Sequence, residues 1–228
     1  MTSEAPMIRA VGDRALRVQF GRRIDPAVSH RVRSLFHGLS QSQIAGIVDL
    51  LPGYLNLVVV YDPLQISFSG LKTRIRKVLA ELDHFDIPAP NTIRVPVVYG
   101  GDFGPDLAFV ADHNGISPEQ VIETHAGVPY EVYMIGFTPG FPYMGQIDAR
   151  IAAPRRRSPR IRVPRGSVGI AQRQTGIYPV ESPGGWQIIG RTPVVLFDPE
   201  RQPPGLLEIG DRVIFEPMEA EEYVHWSP

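Results

Sequence analysis

The sequence of 228 residues has no cysteine, and lysine supplies only two of its 23 basic residues, Lys72 and Lys77. Without cysteine, disulfide bonds, thiolate nucleophiles and cysteine-ligated zinc or iron–sulfur sites are excluded. The chain has no apolar run of about 18 residues, and its start does not combine a basic segment with an apolar one. We therefore expect a cytoplasmic protein with no membrane partner.

Motifs that mark common enzyme classes are absent as well. Residues 69–73 come nearest to a Walker A motif but lack its spacing and glycines, and no zinc-protease helix, nucleophile elbow or Rossmann fingerprint occurs. No residues are predicted to bind a metal. With 43% hydrophobic residues, the chain has enough apolar material for one large or two small domains.

The first hundred residues alternate between the periods of strands and helices. Residues 15–20 alternate as a strand, and the dipeptide Asp25-Pro26 supplies an N-cap and a first-turn proline for a helix. Residues 47–51 and 55–61 flank a Pro-Gly turn and predict a hairpin, followed by a second helix and a strand at 92–98. The order ββαββαβ predicts a ferredoxin-like α/β sandwich with its helices on one face of an antiparallel sheet.

A proline-containing segment at 86–91 has no apolar period and predicts a linker. We therefore expect an α+β fold in two domains, residues 1–90 and residues 91–228. In the second domain, a capping-box pattern at 117–120 opens a short helix that ends near Gly127. Glycine and proline make up 17 of the 58 residues from 136 to 193, yet this region also has enough apolar residues to predict a small packed β-barrel rather than disorder.

Residues 149–180 contain eight arginines and no acidic residue, whereas the tail from 198 to 228 is acidic. A genomic preference for arginine would explain the ratio of arginine to lysine but not this clustering. Guanidinium groups bind carboxylates and phosphates through paired hydrogen bonds, so we predict that Arg155 and Arg160 bind such groups and that Arg191 is catalytic. A nucleic acid partner is disfavoured because the net charge of the whole chain is −1.

His125 lies on the predicted short helix, one turn after Val121. As a catalytic residue it would act as a general base or donate a hydrogen bond to a developing oxyanion, because the pKa of histidine lies near neutral pH. The alternative is a half-buried histidine at a helix end, stabilised there by the helix dipole.

Two loops combine glycine and proline with aromatic residues, at 136–143 and at 182–186. Such a loop can hold backbone amides against a ligand while aromatic rings exclude water, so Phe141 and Tyr143 are predicted to line a binding site. Gly184 and Gly185 could form a nest, in which successive N–H groups converge on an anion. The alternative for both loops is a rigid turn that closes the core.

The segment 136–198, which begins GFTPGFPYMG and ends GRTPVVLFD, closely resembles the signature of the family of 5-oxoprolinase B subunits. This family is also called allophanate hydrolase subunit 1 and includes the Kip-type inhibitor of a histidine kinase. The resemblance extends upstream through residues 95–101, residues 104–107 and His125, and so covers essentially the whole chain.

The resemblance implies an N-terminal α/β domain and a C-terminal cyclophilin-like β-barrel. It also implies that the protein acts with two partners, a homologous C subunit and a separate A subunit, to hydrolyse 5-oxoproline to glutamate. The reaction would use ATP with Mg²⁺ and phosphorylate the lactam. ATP could bind to this chain, to its partner or between them, and the resemblance leaves this open.

Two other activities stay open at this point. The chain could be an inhibitor that binds a sensor histidine kinase. It could also be a carboxyltransferase component of urea or allophanate metabolism, which is disfavoured because the chain has no biotin-acceptor Met-Lys pair.

Overall fold

The structure is a computed structural model, and it describes residues 5–82, 85 and 87–226. The contacts divide the chain into two compact units, Met1–Ala89 and Pro90–Pro228. The predicted domain boundary lies one residue further along the chain. Among the described residues, no helix is both long enough and apolar enough to cross a membrane.

The first unit is a four-stranded antiparallel sheet with two helices. Its strands lie in the order β1-β2-β4-β3, and the two helices pack against each other. The elements are β1 (Met7–Ala10), β2 (Ala15–Gln19), α1 (Pro26–Gln41), β3 (Ile47–Pro52), β4 (Asn56–Tyr61) and α2 (Phe68–Ala80).

Local hydrogen bonds fix where the helices of this unit begin. A side-chain oxygen of Asp25 accepts a hydrogen bond from the N–H of Ala27 at 2.8 Å, and Pro26 follows as the first helical residue.

Alternate residues of β2 and β4 point into the core, where Leu16, Val18, Leu57 and Val59 are fully buried.

The second unit is built on a closed β-barrel. Within the described residues its strands follow the order β10-β7-β6-β13-β5-β12-β9, while β8 and β11 form a separate two-stranded sheet. The elements are β5 (Thr92–Tyr99), α3 (Leu107–Asn114), α4 (Pro118–Ala126), β6 (Tyr130–Ile135), β7 (Pro142–Gly145), β8 (Arg160–Val163), β9 (Ser167–Ala171), β10 (Gln174–Ile177), β11 (Ser182–Gly184), β12 (Gln187–Arg191), β13 (Arg212–Pro217) and α5 (Ala220–Val224).

The predicted α+β fold with a C-terminal barrel is confirmed, with one correction. The strand predicted at 92–98 does not extend the N-terminal sheet, because β5 pairs in parallel with β13 and antiparallel with β12. The predicted capping box is present, since Ser117 and Gln120 exchange side-chain to backbone hydrogen bonds at the start of α4.

Candidate functional site

A cavity of about 290 Å³ opens in the second unit, and we call it the aromatic cavity. Arg155 contributes a charged side chain to its lining, and Gly184 and Gly185 contribute backbone atoms. Two prolines, Pro159 and Pro183, also line it, and its wall contains five aromatic rings, those of Phe137, Phe141, Tyr143, Tyr178 and Trp186.

The rings of this wall hold one another in fixed orientations. Phe141, which is 1% exposed, meets Tyr178 edge-to-face at a centroid distance of 5.1 Å and Trp186 at 5.5 Å. Tyr143 contacts Trp186 at 5.7 Å. Because such pairs are favourable in this geometry, the wall is a rigid and largely apolar surface.

The two tyrosines of the wall are neutral near physiological pH. Burial raises the pKa of Tyr178 to about 12, against the opposing effect of a hydrogen bond from the backbone of Trp186. Burial also raises the pKa of Tyr143, while the charge of Arg155 acts to lower it. Both phenols therefore keep their protons and can donate hydrogen bonds.

The backbone on either side of Arg155 is tied to the elements that form the rest of the cavity. The carbonyl of Pro154 accepts a hydrogen bond from the Gln187 side chain at 2.8 Å, and the N–H of Arg156 donates to the carbonyl of Gly185 at 2.8 Å. Arg155 forms no ion pair with any other residue that the structure describes. Its charge is thus available to an anionic ligand.

Arg160 does not line the aromatic cavity. Its Nη2 lies 2.7 Å from a carboxylate oxygen of Asp106, which also binds Arg156 at 3.1 Å. Asp106 is 5% exposed and its other oxygen accepts the N–H of Ile188 at 2.6 Å. Arg160 nevertheless lies close to the cavity through its backbone, which pairs with that of Gly184.

The arginine-rich segment is therefore not one cationic surface. Acids from outside the segment neutralise several of its charges: Asp106 pairs with Arg156 and Arg160, Asp148 pairs with Arg150, and Glu181 pairs with Arg162. The expectation that its guanidinium groups converge on one anion site was wrong: of the predicted arginines only Arg155 lines the aromatic cavity, and its binding role stays a prediction.

Arg191 lies at the end of β12 and outside the lining of the aromatic cavity. Its guanidinium lies over the ring of Phe103, 5.6 Å from the ring centroid, and its buried Nε has no hydrogen-bond partner among the described residues. A cation over an aromatic face is itself a stabilising contact.

His125 is fully buried inside the barrel and is not among the residues that line the aromatic cavity. Its Nε2 lies 2.8 Å from the hydroxyl of Thr175, its Nδ1 lies 2.8 Å from that of Tyr99, and Phe215 stacks on its ring at 4.5 Å. Burial lowers the pKa of His125 to about 3.

This environment fits a buried core histidine, although the alternative from the sequence was a half-buried one at a helix end. The catalytic roles of His125 and Arg191 stay predictions. They can be tested in the complex reconstituted with the partner subunits. Catalytic rates of the His125→Ala and Arg191→Ala variants within a few-fold of the wild-type rate would contradict these roles.

Gly184 and Gly185 lie in the cavity but not in the conformation of a nest. Neither is among the residues with a positive φ, and Gly184 belongs to strand β11. A Cβ at position 184 would overlap the hydroxyl and ring of Tyr178, so the absence of a side chain there lets the strand lie on that ring. The prediction of a nest was wrong, and the binding role of this backbone stays a prediction.

A second cavity, of about 390 Å³, lies beside α4 and contains none of the predicted site residues. Its guanidinium, that of Arg150, is already paired with Asp148 at 2.9 Å. The aromatic cavity is the better candidate for a binding site because it combines the charge of Arg155, unpaired among the described residues, with a largely apolar wall.

A family profile described as "Carboxyltransferase domain, subdomain C and D" matches residues 6–207 of this chain. The chain is 41% identical to the 5-oxoprolinase B subunit of Bacillus subtilis over 95% of this chain and 94% of that protein. It is 46% identical to the 5-oxoprolinase B subunit of Escherichia coli O157:H7 over 75% of this chain and 78% of that protein.

The chain belongs to the family of 5-oxoprolinase B subunits. Among solved structures, that of TTHA0988 superposes with a TM-score of 0.80 at 36% identity, over 91% of this chain. The match covers only 40% of the TTHA0988 chain, which is therefore much longer than the chain described here.

The resemblance to 5-oxoprolinase B subunits implies a reaction that uses ATP with Mg²⁺. The residues that line the aromatic cavity do not suit this group. Magnesium prefers carboxylate and phosphate oxygens, and no described carboxylate lines the cavity. The described residues also contain no group of three or more His, Asp or Glu side chains placed to hold a metal. The cavity therefore does not fit a magnesium-bound triphosphate.

Five of the eight site residues predicted from the sequence line this cavity: Phe141, Tyr143, Arg155, Gly184 and Gly185. The sequence prediction did not include Phe137, Tyr178 and Trp186 as wall residues, nor Asp106 as the partner of two arginines. Phe137 and Trp186 stand inside the two loops that the sequence singled out, so the signal was present for them. Tyr178 had none.

Proposed function

We propose that this chain is the B subunit of an ATP-dependent 5-oxoprolinase, which acts with the A and C subunits to hydrolyse 5-oxo-L-proline to L-glutamate. Relatives with the name of this subunit, which match most of the chain, support this role. Because the aromatic cavity does not fit a magnesium-bound triphosphate, the proposal places ATP with its Mg²⁺ outside this cavity.

The observation that carries the proposal is the position of Arg155 beside a wall of aromatic rings. 5-Oxoproline is a small flat lactam that bears one carboxylate. Arg155 binds that carboxylate through its guanidinium fork, and the rings pack against the lactam.

The cavity orients the substrate and excludes water from it. The neutral hydroxyls of Tyr143 and Tyr178 donate hydrogen bonds to the lactam oxygen, which draws electron density from the amide carbon. These interactions are strengthened by the apolar surroundings, since charges and dipoles interact more strongly where water is excluded.

The test is glutamate release from 5-oxoproline by the complex reconstituted from this chain and its cognate A and C subunits. We expect release that needs both ATP and this chain. A wild-type complex that releases no glutamate with ATP present would overturn the proposal.

A matched pair of variants links the activity to the cavity. Arg155→Ala should raise KM for 5-oxoproline at least about tenfold, because a charge-assisted contact to the carboxylate is lost. Arg157→Ala removes a nearby exposed arginine that does not line the cavity, and should leave KM unchanged. Equal KM values for the two variants would remove Arg155 from the site.

A further inference from the structure

Phe137 occupies a strained backbone conformation at the aromatic cavity. Its φ is 70°, and the N–H of Thr138 donates to the carbonyl of Gly136 at 2.9 Å. A bond from residue i+2 back to residue i across a positive φ defines the rare form of the γ-turn, which is strained. A positive φ in a bulky residue such as phenylalanine is a clear outlier.

The short loop around Phe137 holds this strain in place. The N–H of Gly136 donates to the carbonyl of Phe141 at 3.1 Å, and the N–H of Phe141 donates to the carbonyl of Thr138 at 3.1 Å. Gly140, with a φ of 79°, meets the other left-handed position of the loop without a side chain. Glycine would meet the requirement at 137 as well, so the phenyl ring is not needed for the backbone geometry.

The ring of Phe137 gains little from folding. It is 62% exposed, and its contact with the wall is edge-to-face with Phe141 at 5.7 Å. A strained backbone and an exposed ring both disfavour the folded state, so stability does not explain this residue. The ring does line the cavity, where a ligand would cover it.

We propose that Phe137 is a specificity-determining residue of the aromatic cavity, whose ring packs against the face of a small cyclic amide. The γ-turn holds the ring at the cavity before the ligand arrives, so that little freedom is lost on binding. This inference rests on the proposed function, from which it takes the ligand. It adds a residue of the apolar lining to the site that contains Arg155.

Three substitutions separate the ring from the strain. Phe137→Ala removes the ring and keeps a side chain at positive φ, Phe137→Gly removes both, and Phe137→Tyr keeps both. We expect KM for 5-oxoproline to rise by roughly tenfold to a hundredfold in the alanine and glycine variants, since burial of a phenyl ring is lost. The tyrosine variant should keep a KM near that of the wild type.

Thermal unfolding of the full chain supplies a readout besides activity. The glycine variant should unfold at a higher temperature than the alanine variant, because only glycine relieves the left-handed strain. Gln172→Gly is the matched control: Gln172 is exposed, has a φ of 54° and does not line the cavity. It should raise or keep the unfolding temperature with KM unchanged.

An active complex in which Phe137→Ala keeps the wild-type KM would overturn this inference and leave the proposed function standing. Equal losses in Phe137→Tyr and Phe137→Ala would overturn it too, because the ring would then not be what is recognised. A wild-type complex without glutamate release would instead overturn the proposed function and the ligand assignment with it.

Discussion

Asp106 and Arg160 form an ion pair of 2.7 Å that joins distant parts of the second unit. The carboxylate stands at the start of α3, and it also binds Arg156 and the backbone N–H of Ile188 on β12. The loop that carries Arg155 is thereby held at two points by one nearly buried acid.

Replacing Asp106 should destabilise the barrel strongly. Asp106→Ala leaves the buried N–H of Ile188 without its acceptor and removes the partner of two partly exposed guanidinium groups, and losing a buried hydrogen-bond acceptor costs about 1–3 kcal/mol. Asp106→Asn keeps an acceptor for Ile188 and should cost less. Both tryptophans lie in residues 90–228, so their fluorescence during urea unfolding follows this unit.

The exposed pair of Arg162 and Glu181 is the control for this measurement. Glu181→Gln should change the free energy of unfolding by no more than about 1 kcal/mol, because solvent screens exposed pairs. Similar losses for Asp106→Ala and Glu181→Gln would show that burial of Asp106 adds nothing to the stability of the pair.

The neighbouring glycines of the aromatic cavity should respond differently to a methyl group. In Gly184→Ala the new Cβ overlaps the ring and hydroxyl of Tyr178, and we expect a loss of about 1–3 kcal/mol as the strand or the ring shifts. In Gly185→Ala the nearest atom outside the neighbouring residues is 3.7 Å away, on Pro159. That variant should be close to wild type in fluorescence-monitored unfolding, and a larger loss there than at Gly184 would contradict this packing.

Elements that depend on local hydrogen bonds could be predicted from the sequence. The start of α1 at Asp25 and the capping box of α4 each involve side chains within three residues of the backbone they bind. The strand at 92–98 was also predicted, but its partner was not, because β13 lies more than a hundred residues further along the chain. Interactions between residues close in sequence thus predict where helices and strands begin. They do not predict which strands pair.

The candidate site shows the same division. The two glycine-rich loops identified part of the cavity, because each of them combines glycine and proline with aromatic residues. The partners of Arg156 and Arg160 could not be predicted, since Asp106 lies 50 and 54 residues away from them. A charge count along the sequence does not show which acids fold back onto an arginine-rich segment.

Burial of His125 predicts a stability that depends on pH. The ring must stay neutral in the folded barrel, where its pKa is about 3, whereas the ordinary value of 6.5 applies after unfolding. The unfolded state therefore binds the extra proton first, and stability is lost as pH falls below about 6.5 and continues to fall toward 3. The slope from this one group approaches about 1.4 kcal/mol per pH unit.

The window between pH 6.5 and about 5 isolates this effect, because most carboxyl groups titrate below it. Urea unfolding followed by tryptophan fluorescence should show stability that falls with pH across this window in the wild type. His125→Gln cannot take up the proton and should flatten the slope, even though it loses stability at every pH. His113→Gln, at an exposed position of the same unit, should keep the wild-type slope. A flat wild-type profile would mean that the barrel opens to let the imidazolium reach water.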